Sequence, residues 1–292
     1  MNSWLPTAPC TPENCLAGPA PTVPGPLRVL RGAACLGLLL AGIAVILLVR
    51  SWARVPRLRD ALLRGWTRSI VAALGVRLRI TGQEPAPDGV LLVANHVSWL
   101  DILLFATVRP GPMLAKTEVR SWPVLGPLAG RGGTVFIDRD RLRQLPDTVG
   151  QIAAALRSGQ AVAVFPEGST WCGAAGGRFR PAAFQAAIDA AAPVQPVTIR
   201  YRLADGHPST APAFVGDDEL LPSIGRVLAA RGLVAELTFH SPMPTDNGTD
   251  RRLLARRAQA AVGSAPAAAH TVTNPYIPAQ QQRQAGRTAA WR

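Results

Sequence analysis

A histidine and an aspartate are separated by four residues in the stretch VANHVSWLD, residues 93–101. His96 is one of only four histidines and directly follows an apolar run that is typical of a buried strand. An imidazole titrates near neutral pH, and a carboxylate that orients it and stabilises its protonated form makes it an effective general base. The spacing therefore suggests such a base at His96, with Asp101 as its partner. A purely structural interpretation has Asn95 or Ser98 capping a helix and Asp101 in its first turn, where the helix dipole favours an anion.

Two other predicted strands also end in polar residues. The stretch RGGTVFIDRDR, residues 131–141, contains Arg139, whose guanidinium can bind a phosphate through two parallel hydrogen bonds, although a solvated charged turn is the alternative. The stretch VAVFPEGSTW, residues 162–171, leads from a buried strand into Glu167 and Gly168. The glycine allows backbone N–H groups to approach an oxyanion, and the carboxylate can orient an arginine or accept a hydrogen bond from a hydroxyl. Because sites in α/β sheets form where strands end, we expect these residues on one edge.

Short apolar runs alternate with helical patterns from Val76 onward. The predicted strands are VRLRIT, GVLLVAN, PMLAK, GTVFID, AVAVFP, VQPVTIRY and VAELTFH. Runs that are apolar on both faces, separated by helices such as residues 142–157 and 181–191, predict an α/β fold with a mostly parallel sheet flanked by helices. Residues 76–262 form the predicted catalytic domain.

In this order, the polar stretches resemble the 1-acylglycerol-3-phosphate acyltransferase family, the PlsC-like membrane glycerolipid acyltransferases. The family's first block, N-H-x4-D, corresponds to Asn95, His96 and Asp101, its third, F-P-E-G, to residues 165–168, and its fourth, V-x-P-V, to residues 194–197. The second block corresponds to Lys116, Glu118, Pro123, Gly126, Gly133, Phe136, Ile137, Asp138 and Arg139. The resemblance spans residues 78–201, and the ordered blocks make it specific.

The resemblance implies transfer of a fatty acyl group from a thioester to the free hydroxyl of a lysophospholipid, foremost 1-acylglycerol-3-phosphate. His96 is implied as the general base and Asp101 as the residue that orients it. The implied substrate-binding residues are Lys116, Arg139, Glu167, Gly168, Ser169 and Thr170, of which the first two contact the acceptor's phosphate. The donor is acyl-CoA or acyl-carrier protein, and no cofactor is expected.

One position departs from the family pattern. Many members continue the third block as E-G-T-R, with an arginine that helps to bind phosphate, whereas this chain has Ser169 and Thr170 after the glycine. Either Arg178 or Arg180 supplies the missing charge, or the acceptor has no glycerol phosphate, as in a lyso-ornithine lipid. The two hydroxyls can still donate hydrogen bonds.

A membrane attachment is predicted in residues 27–75. Residues 32–49, GAACLGLLLAGIAVILLV, carry no charge and are near the minimum length for crossing a bilayer. The arginines are more numerous after this stretch than before it, which predicts that the catalytic domain faces the cytoplasm at the cell membrane. Residues 57–74 form an amphipathic helix that fits a lipid interface or the surface of the domain equally well. A cleaved signal peptide is the alternative, but no small-residue cleavage site follows.

The formal net charge of +13 favours anionic partners such as acidic phospholipids or nucleic acid. No nucleic-acid-binding motif is present, so a non-catalytic, membrane-tethered basic protein is the weaker alternative, and no nucleic acid is expected as a partner. A dedicated hydrolase has little support because the chain contains no G-x-S-x-G motif.

Neither a disulfide framework nor a metal site is expected from the cysteines and histidines. Cys10, Cys15, Cys35 and Cys172 show no C-x-x-C pairing, and the histidines show no spacing typical of ligands. The Pro-rich residues 1–26 and the basic residues 263–292 are predicted to be disordered.

Overall fold

A computed structural model describes residues 8–16, 21–48, 56–84, 86, 89–117, 134–137, 142–246 and 248–263. Its helices are α1 (Pro12–Cys15), α2 (Gly25–Leu48), α3 (Pro56–Ala73), α4 (Leu100–Val108), α5 (Leu145–Arg157), α6 (Ala182–Asp189), α7 (Leu220–Ala229) and α8 (Arg251–Val262). Its strands are β1 (Arg77–Gly82), β2 (Leu91–Ala94), β3 (Leu114–Lys116), β4 (Val135–Ile137), β5 (Val162–Val164), β6 (Val194–Arg202) and β7 (Val234–Phe239). Each strand coincides with one of the runs that predicted it, and only β1 and β6 extend one residue beyond their runs, to Gly82 and Arg202.

The main sheet has five strands in the order β1-β7-β6-β2-β5. Its neighbours are parallel except β6 and β7, which are antiparallel. Strands β3 and β4 form a separate parallel pair, and a bridge from Met113 to Ala163 connects this pair to the β5 edge. The predicted α/β fold with a mostly parallel sheet is therefore confirmed.

Helices cover both faces of the sheet. Because successive side chains of a strand point to opposite faces, Leu92 and Ala94 of β2 belong to the core beneath α3 and α4, whereas Leu91 and Val93 belong to the core beneath α5, α6 and α8. All four side chains are buried. Burial on both faces explains why β2 and β5 read as continuous apolar runs.

The described residues before α2, 8–16 and 21–24, form a leader that packs on the α/β domain. The N–H of Val23 donates to the carbonyl of Ala229, and Cys10 is buried in the core. Gly216 has a left-handed φ of +62°, and a Cβ there would lie 3.1 Å from the Cys10 carbonyl oxygen, so the glycine permits this close approach. The predicted disorder is therefore wrong for residues 8–16 and 21–26. The leader has too few apolar residues to form a core of its own, but its residues, such as Cys10, pack into the core of the domain.

Two N-terminal helices form a hairpin against the domain. The guanidinium of Arg31, near the start of α2, donates to the carbonyls of Leu228 and Ala230 at 2.9 Å each. Further along, the indole of Trp66 in α3 donates to the carbonyl of Leu38 in α2 at 2.7 Å. The start of α2 therefore lies against the α/β domain, and α3 packs on α2.

The hairpin exposes a large apolar surface. The 21 residues Gly25–Val45 are long and apolar enough to cross a membrane, with a mean hydropathy of 1.7. Ile70 of α3 and Leu74 just after the helix are buried against the domain, whereas Leu58 and Leu62 of α3 are exposed. The C-terminal half of α3 thus packs on the domain, and its N-terminal half is suited to a lipid interface, so each alternative for this helix describes one half. Of the predicted disordered tail, residues 263–292, Gly263 ends α8 and the remainder lies outside the described residues.

Candidate active site

The predicted histidine–aspartate pair is formed. His96 directly follows β2 and Asn95, and its Nδ1 lies 2.8 Å from Oδ2 of Asp101 in the first turn of α4. The Asp101 side chain is fully buried, whereas that of His96 is 19% exposed. The two interpretations of the spacing are therefore compatible, since Asp101 occupies a first helical turn and also pairs with the imidazole. Asn95 does not cap α4; it exchanges two hydrogen bonds with the backbone of Ile199 in β6.

Four donors converge on the Asp101 carboxylate. Besides the imidazole, Oδ2 accepts from the backbone N–H groups of Val97 and Ser98 at 2.7 and 2.9 Å, and Oδ1 accepts from the Tyr201 hydroxyl at 2.6 Å. Because the carboxylate is the acceptor, this network assigns the imidazole proton to Nδ1 and leaves a lone pair on Nε2. Burial, followed by the negative charge of Asp101, raises the pKa of Tyr201 well above its usual value, which keeps the hydroxyl protonated.

Tyr201 is a site residue that the sequence reasoning missed. It lies on β6 after Val197 and Ile199 and faces the same core. Side chains alternate between the two faces of a strand, so the sequence of β6 places Tyr201 on the inner face near the predicted site. This alternation could have identified Tyr201 from the sequence.

Residues of the third motif hold the histidine of the first. The Phe165 ring stacks on the imidazole with 4.0 Å between ring centroids and 13° between planes. The N–H of His96 donates to Glu167 Oε2 at 2.8 Å, and its carbonyl accepts from the N–H of Trp171 at 2.8 Å. The ends of the parallel neighbours β2 and β5 are thus joined by side-chain and backbone contacts, as expected for strand ends on one edge of a sheet.

Glu167 is buried between two loops. Its second oxygen, Oε1, accepts from the N–H of Gly177 at 2.9 Å. Burial raises the pKa of Glu167 to about 8, although the two backbone N–H groups oppose this shift. A Cβ at Gly177 would lie 2.6–2.9 Å from atoms of the Trp171 indole, so a glycine is needed at this contact.

Two cavities meet at Glu167 and Trp171. The smaller, of about 140 Å³, is also lined by His96. The larger, of about 470 Å³, is also lined by Ser169, and we call it the arginine cavity because four arginines surround it. They are Arg178 and Arg180, which the sequence suggested as replacements for the missing family arginine, and Arg252 and Arg256 of α8, which it did not suggest.

The arginine cavity has unsatisfied polar groups. Ser169 Oγ and Trp171 Nε1 are buried without a hydrogen-bond partner within the described part of the chain. The Thr170 hydroxyl, in contrast, donates to the carbonyl of Phe214. Of the two hydroxyls expected to bind substrate, only that of Ser169 therefore remains available for a ligand. The adjacent Gly168 adopts a left-handed φ of +76° in the turn after β5.

The second motif is only partly described. Lys116 is the last residue of β3, and Phe136 and Ile137 lie in β4. Arg139 lies outside the described residues, as do Glu118, Pro123, Gly126, Gly133 and Asp138. The phosphate-binding role of Lys116 and Arg139 therefore stays a prediction.

The structure brings three cysteines together that the sequence did not connect. The sulfur atoms of Cys10, Cys15 and Cys172 all lie within 4.8 Å of one another. Two come from the leader and one from the loop after Trp171, so their spacing in the sequence resembles no ligand motif. Cys35 is a free cysteine in α2.

Comparisons with known proteins point in the same direction as the geometry. The acyltransferase family model matches residues 77–200. Lyso-ornithine lipid O-acyltransferase from Pseudomonas aeruginosa is 38% identical over 243 residues, covering 80% of this chain and 91% of that protein. The 1-acyl-sn-glycerol-3-phosphate acyltransferase from Neisseria meningitidis is 37% identical over 188 residues, covering 64% of this chain and 73% of that protein.

A solved structure has the same fold. The crystal structure of the 1-acyl-sn-glycerophosphate acyltransferase PlsC from Thermotoga maritima matches with a TM-score of 0.62 at 19% identity. The match covers 81% of this chain and 91% of that one.

Proposed function

Because the chain belongs to the PlsC-like acyltransferase family and is therefore an acyltransferase, we propose that it acylates 1-acylglycerol-3-phosphate to phosphatidic acid. The family implies a lysophospholipid acceptor and an acyl donor. The hydrogen bond from His96 Nδ1 to Asp101 carries this proposal, because it leaves Nε2 free to accept the proton of the acceptor's hydroxyl.

The proposed reaction is a direct transfer. The hydroxyl oxygen of the acceptor attacks the thioester carbonyl while its proton passes to His96 Nε2, which forms an imidazolium beside Asp101. The tetrahedral intermediate then collapses, the new C–O bond is kept, the C–S bond breaks, and the imidazolium returns the proton to the leaving thiolate. Asp101 stabilises the transient positive charge, and the donors on its two oxygens hold it in place.

Stacking and backbone contacts fix the direction of Nε2. The Phe165 ring restricts the plane of the imidazole, and Glu167 and Trp171 bind the two sides of the His96 backbone. A base held in this way loses little motion when the substrate binds, which favours proton transfer within a narrow range of geometries.

The arginine cavity is the proposed site of the acceptor's phosphate. Arginine donates two parallel hydrogen bonds to phosphate, and four guanidinium groups surround this cavity. The unpartnered Ser169 hydroxyl and Trp171 indole N–H supply further donors. Since the cavity shares Glu167 with the smaller cavity at His96, a lipid with its phosphate here has its glycerol close to the base. Acyl-CoA or acyl-carrier protein is the proposed donor, as the resemblance implies, and no cofactor is needed for this chemistry.

A lyso-ornithine lipid is the second candidate acceptor. Two observations favour it: the third motif lacks the arginine that helps to bind phosphate, and the Pseudomonas aeruginosa relative is similar over 91% of its length. The two candidates differ at the headgroup, because only 1-acylglycerol-3-phosphate carries a phosphate.

We propose that the α2–α3 hairpin enters one face of the membrane and leaves through the same face. The leader and the end of α3 both pack on the catalytic domain, and a single crossing at α2 would place leader and domain on opposite sides. The exposed apolar side chains of the hairpin support its insertion into lipid. The excess of arginines after α2 supports a cytoplasmic location for the domain.

Mass spectrometry of the products tests the proposed acceptor. Purified full-length protein is given one acyl-CoA together with equal amounts of lysophosphatidic acid and lyso-ornithine lipid. Phosphatidic acid as the main product is the expected result. Ornithine lipid as the main product would replace the first candidate with the second, and free fatty acid without any acylated lipid would contradict both.

A further inference from the structure

Three thiols of this chain converge beside the active site. Cys10 and Cys15 belong to the leader at α1, and Cys172 follows Trp171 in the loop that contacts His96. Their sulfur atoms lie within 4.8 Å of one another. Cys10 and Cys172 are buried and Cys15 is partly exposed. The acyl-transfer chemistry proposed above uses none of the three.

This arrangement suits a thiophilic metal ion better than a disulfide. A disulfide joins two sulfur atoms and leaves the third without a role, whereas a zinc ion binds several thiolates at about 2.3 Å each in tetrahedral geometry. No fourth histidine, cysteine, aspartate or glutamate joins the group in the described ranges, so the fourth position is available to water.

We propose that Cys10, Cys15 and Cys172 bind one thiophilic metal ion, Zn²⁺ or a similar cation, which fastens the leader to the active-site loop. Three thiols lose their protons when one divalent ion binds, so the occupied site carries a net charge of −1. The partly exposed side at Cys15 gives the ion and a water ligand access from solvent.

The ion has a positioning role in the acyltransferase. Cys172 is next to Trp171, whose N–H donates to the His96 carbonyl, and the same loop continues to Gly177, which donates to Glu167. Fixing Cys172 therefore stabilises the backbone contacts that hold the histidine. The inference does not depend on which lysolipid is the acceptor, because no cysteine of the group lines the arginine cavity.

Metal analysis of the full-length protein tests the proposal. Detergent-solubilised protein, purified anaerobically, is incubated with excess Zn²⁺ or Co²⁺, desalted and analysed for bound metal. We expect one retained ion per chain, release of protons on binding, and a sulfur-to-cobalt charge-transfer band in the Co²⁺ form. Chelation should lower the melting temperature and the acyl-transfer rate, and added Zn²⁺ should restore both.

Variants separate the site from adventitious binding. Cys15→Ser, at the partly exposed position, and Cys172→Ser should both lose the retained ion and the charge-transfer band, while the matched control Cys35→Ser should keep them. Cys15→Ser keeps the test valid if Cys172→Ser fails to fold. Equal metal retention in wild type and Cys15→Ser, no retained ion in the wild type, or a native disulfide among these cysteines in non-reducing mass spectrometry would each overturn the proposal.

Discussion

The catalytic pair and the arginine cavity adjoin each other but differ in how fully their polar groups are satisfied. Every oxygen of Asp101 has a donor, and the imidazole is held by a hydrogen bond and a stacked ring. In the arginine cavity, Ser169 Oγ and Trp171 Nε1 are buried without partners among the described residues. Because leaving a buried polar group unpaired is costly, unpaired groups in a cavity indicate a ligand. In the proposed mechanism, the proton-transfer apparatus is thus complete within the protein, whereas we expect the substrate to complete the binding apparatus.

Removal of the charge on Asp101 should have the largest effect among changes to the partners of His96. In Asp101→Asn, the amide oxygen can still accept from His96, Val97 and Ser98, so the fold should be kept while the stabilisation of the imidazolium is lost. We expect kcat to fall about 10²- to 10³-fold with little change in KM. Steady-state kinetics and a thermal unfolding curve check this. A normal kcat would show that the carboxylate is only a structural part of α4.

Replacement of arginines that line the arginine cavity should weaken binding of the acceptor. In Arg252→Ala/Arg256→Ala we expect KM for the phosphate-bearing acceptor to rise about tenfold, equivalent to about 1.4 kcal/mol, with kcat nearly unchanged. Arg251→Ala is the matched control, because it removes one arginine of the same helix that does not line the cavity. An equal KM in the wild type, the double variant and Arg251→Ala would show that the acceptor's phosphate does not bind in this cavity.

Glu167 lies where the two regions meet and should make stability depend on pH. Its pKa is raised from 4.5 to about 8, so between these values the folded protein retains a proton that the unfolded chain has released. The contribution of Glu167 to stability is therefore fully present below pH 4.5 and is lost as the pH rises through about 8. Unfolding free energies of wild type and Glu167→Gln, measured across this range, should show a shallower fall in the variant. Identical slopes would contradict the shifted pKa.

Removal of the Ser169 or the Thr170 hydroxyl should have the smallest effects, and the two variants should differ in whether KM or stability changes. Thr170→Val removes the donor to the Phe214 carbonyl and should cost about 1 kcal/mol of stability. Ser169→Ala removes a hydroxyl that has no partner among the described residues, so stability should be unchanged while KM for the acceptor rises a few-fold. Thermal unfolding combined with acceptor titration separates the two effects. A loss of stability in Ser169→Ala equal to that in Thr170→Val would mean that Ser169 has a structural partner.

The sequence was sufficient to predict the fold and the histidine–aspartate pair because both depend on local patterns. Apolar runs predicted the strands, and the N-H-x4-D spacing predicted His96 beside Asp101. Local patterns do not place Tyr201, Arg252 and Arg256 at the site, although the alternation of β6 puts Tyr201 on the inner face of its strand. These residues lie far along the chain, and only the strand order β6-β2-β5 and the packing of α8 bring them to the site.

The leader shows where a prediction from amino-acid composition fails. Its Pro-rich residues predicted disorder, yet Cys10 is buried in the core and Val23 donates to the backbone of α7. The composition of a segment indicates whether that segment can form a core by itself. It does not indicate whether the segment can pack on a surface that another part of the chain provides. The three-cysteine group was missed for a similar reason, because Cys172 is distant in sequence from Cys10 and Cys15.

The central claim is that His96 Nε2 removes the proton from the acceptor's hydroxyl. Single-turnover acyl transfer by His96→Ala, with membrane binding and thermal unfolding measured on the same sample, tests it most directly, and His207→Ala, which lines neither cavity, is the control. We expect a rate about 10³-fold below wild type for His96→Ala, an unchanged rate for His207→Ala, and normal membrane binding for both. Transfer by folded, membrane-bound His96→Ala at the wild-type rate would contradict the claim.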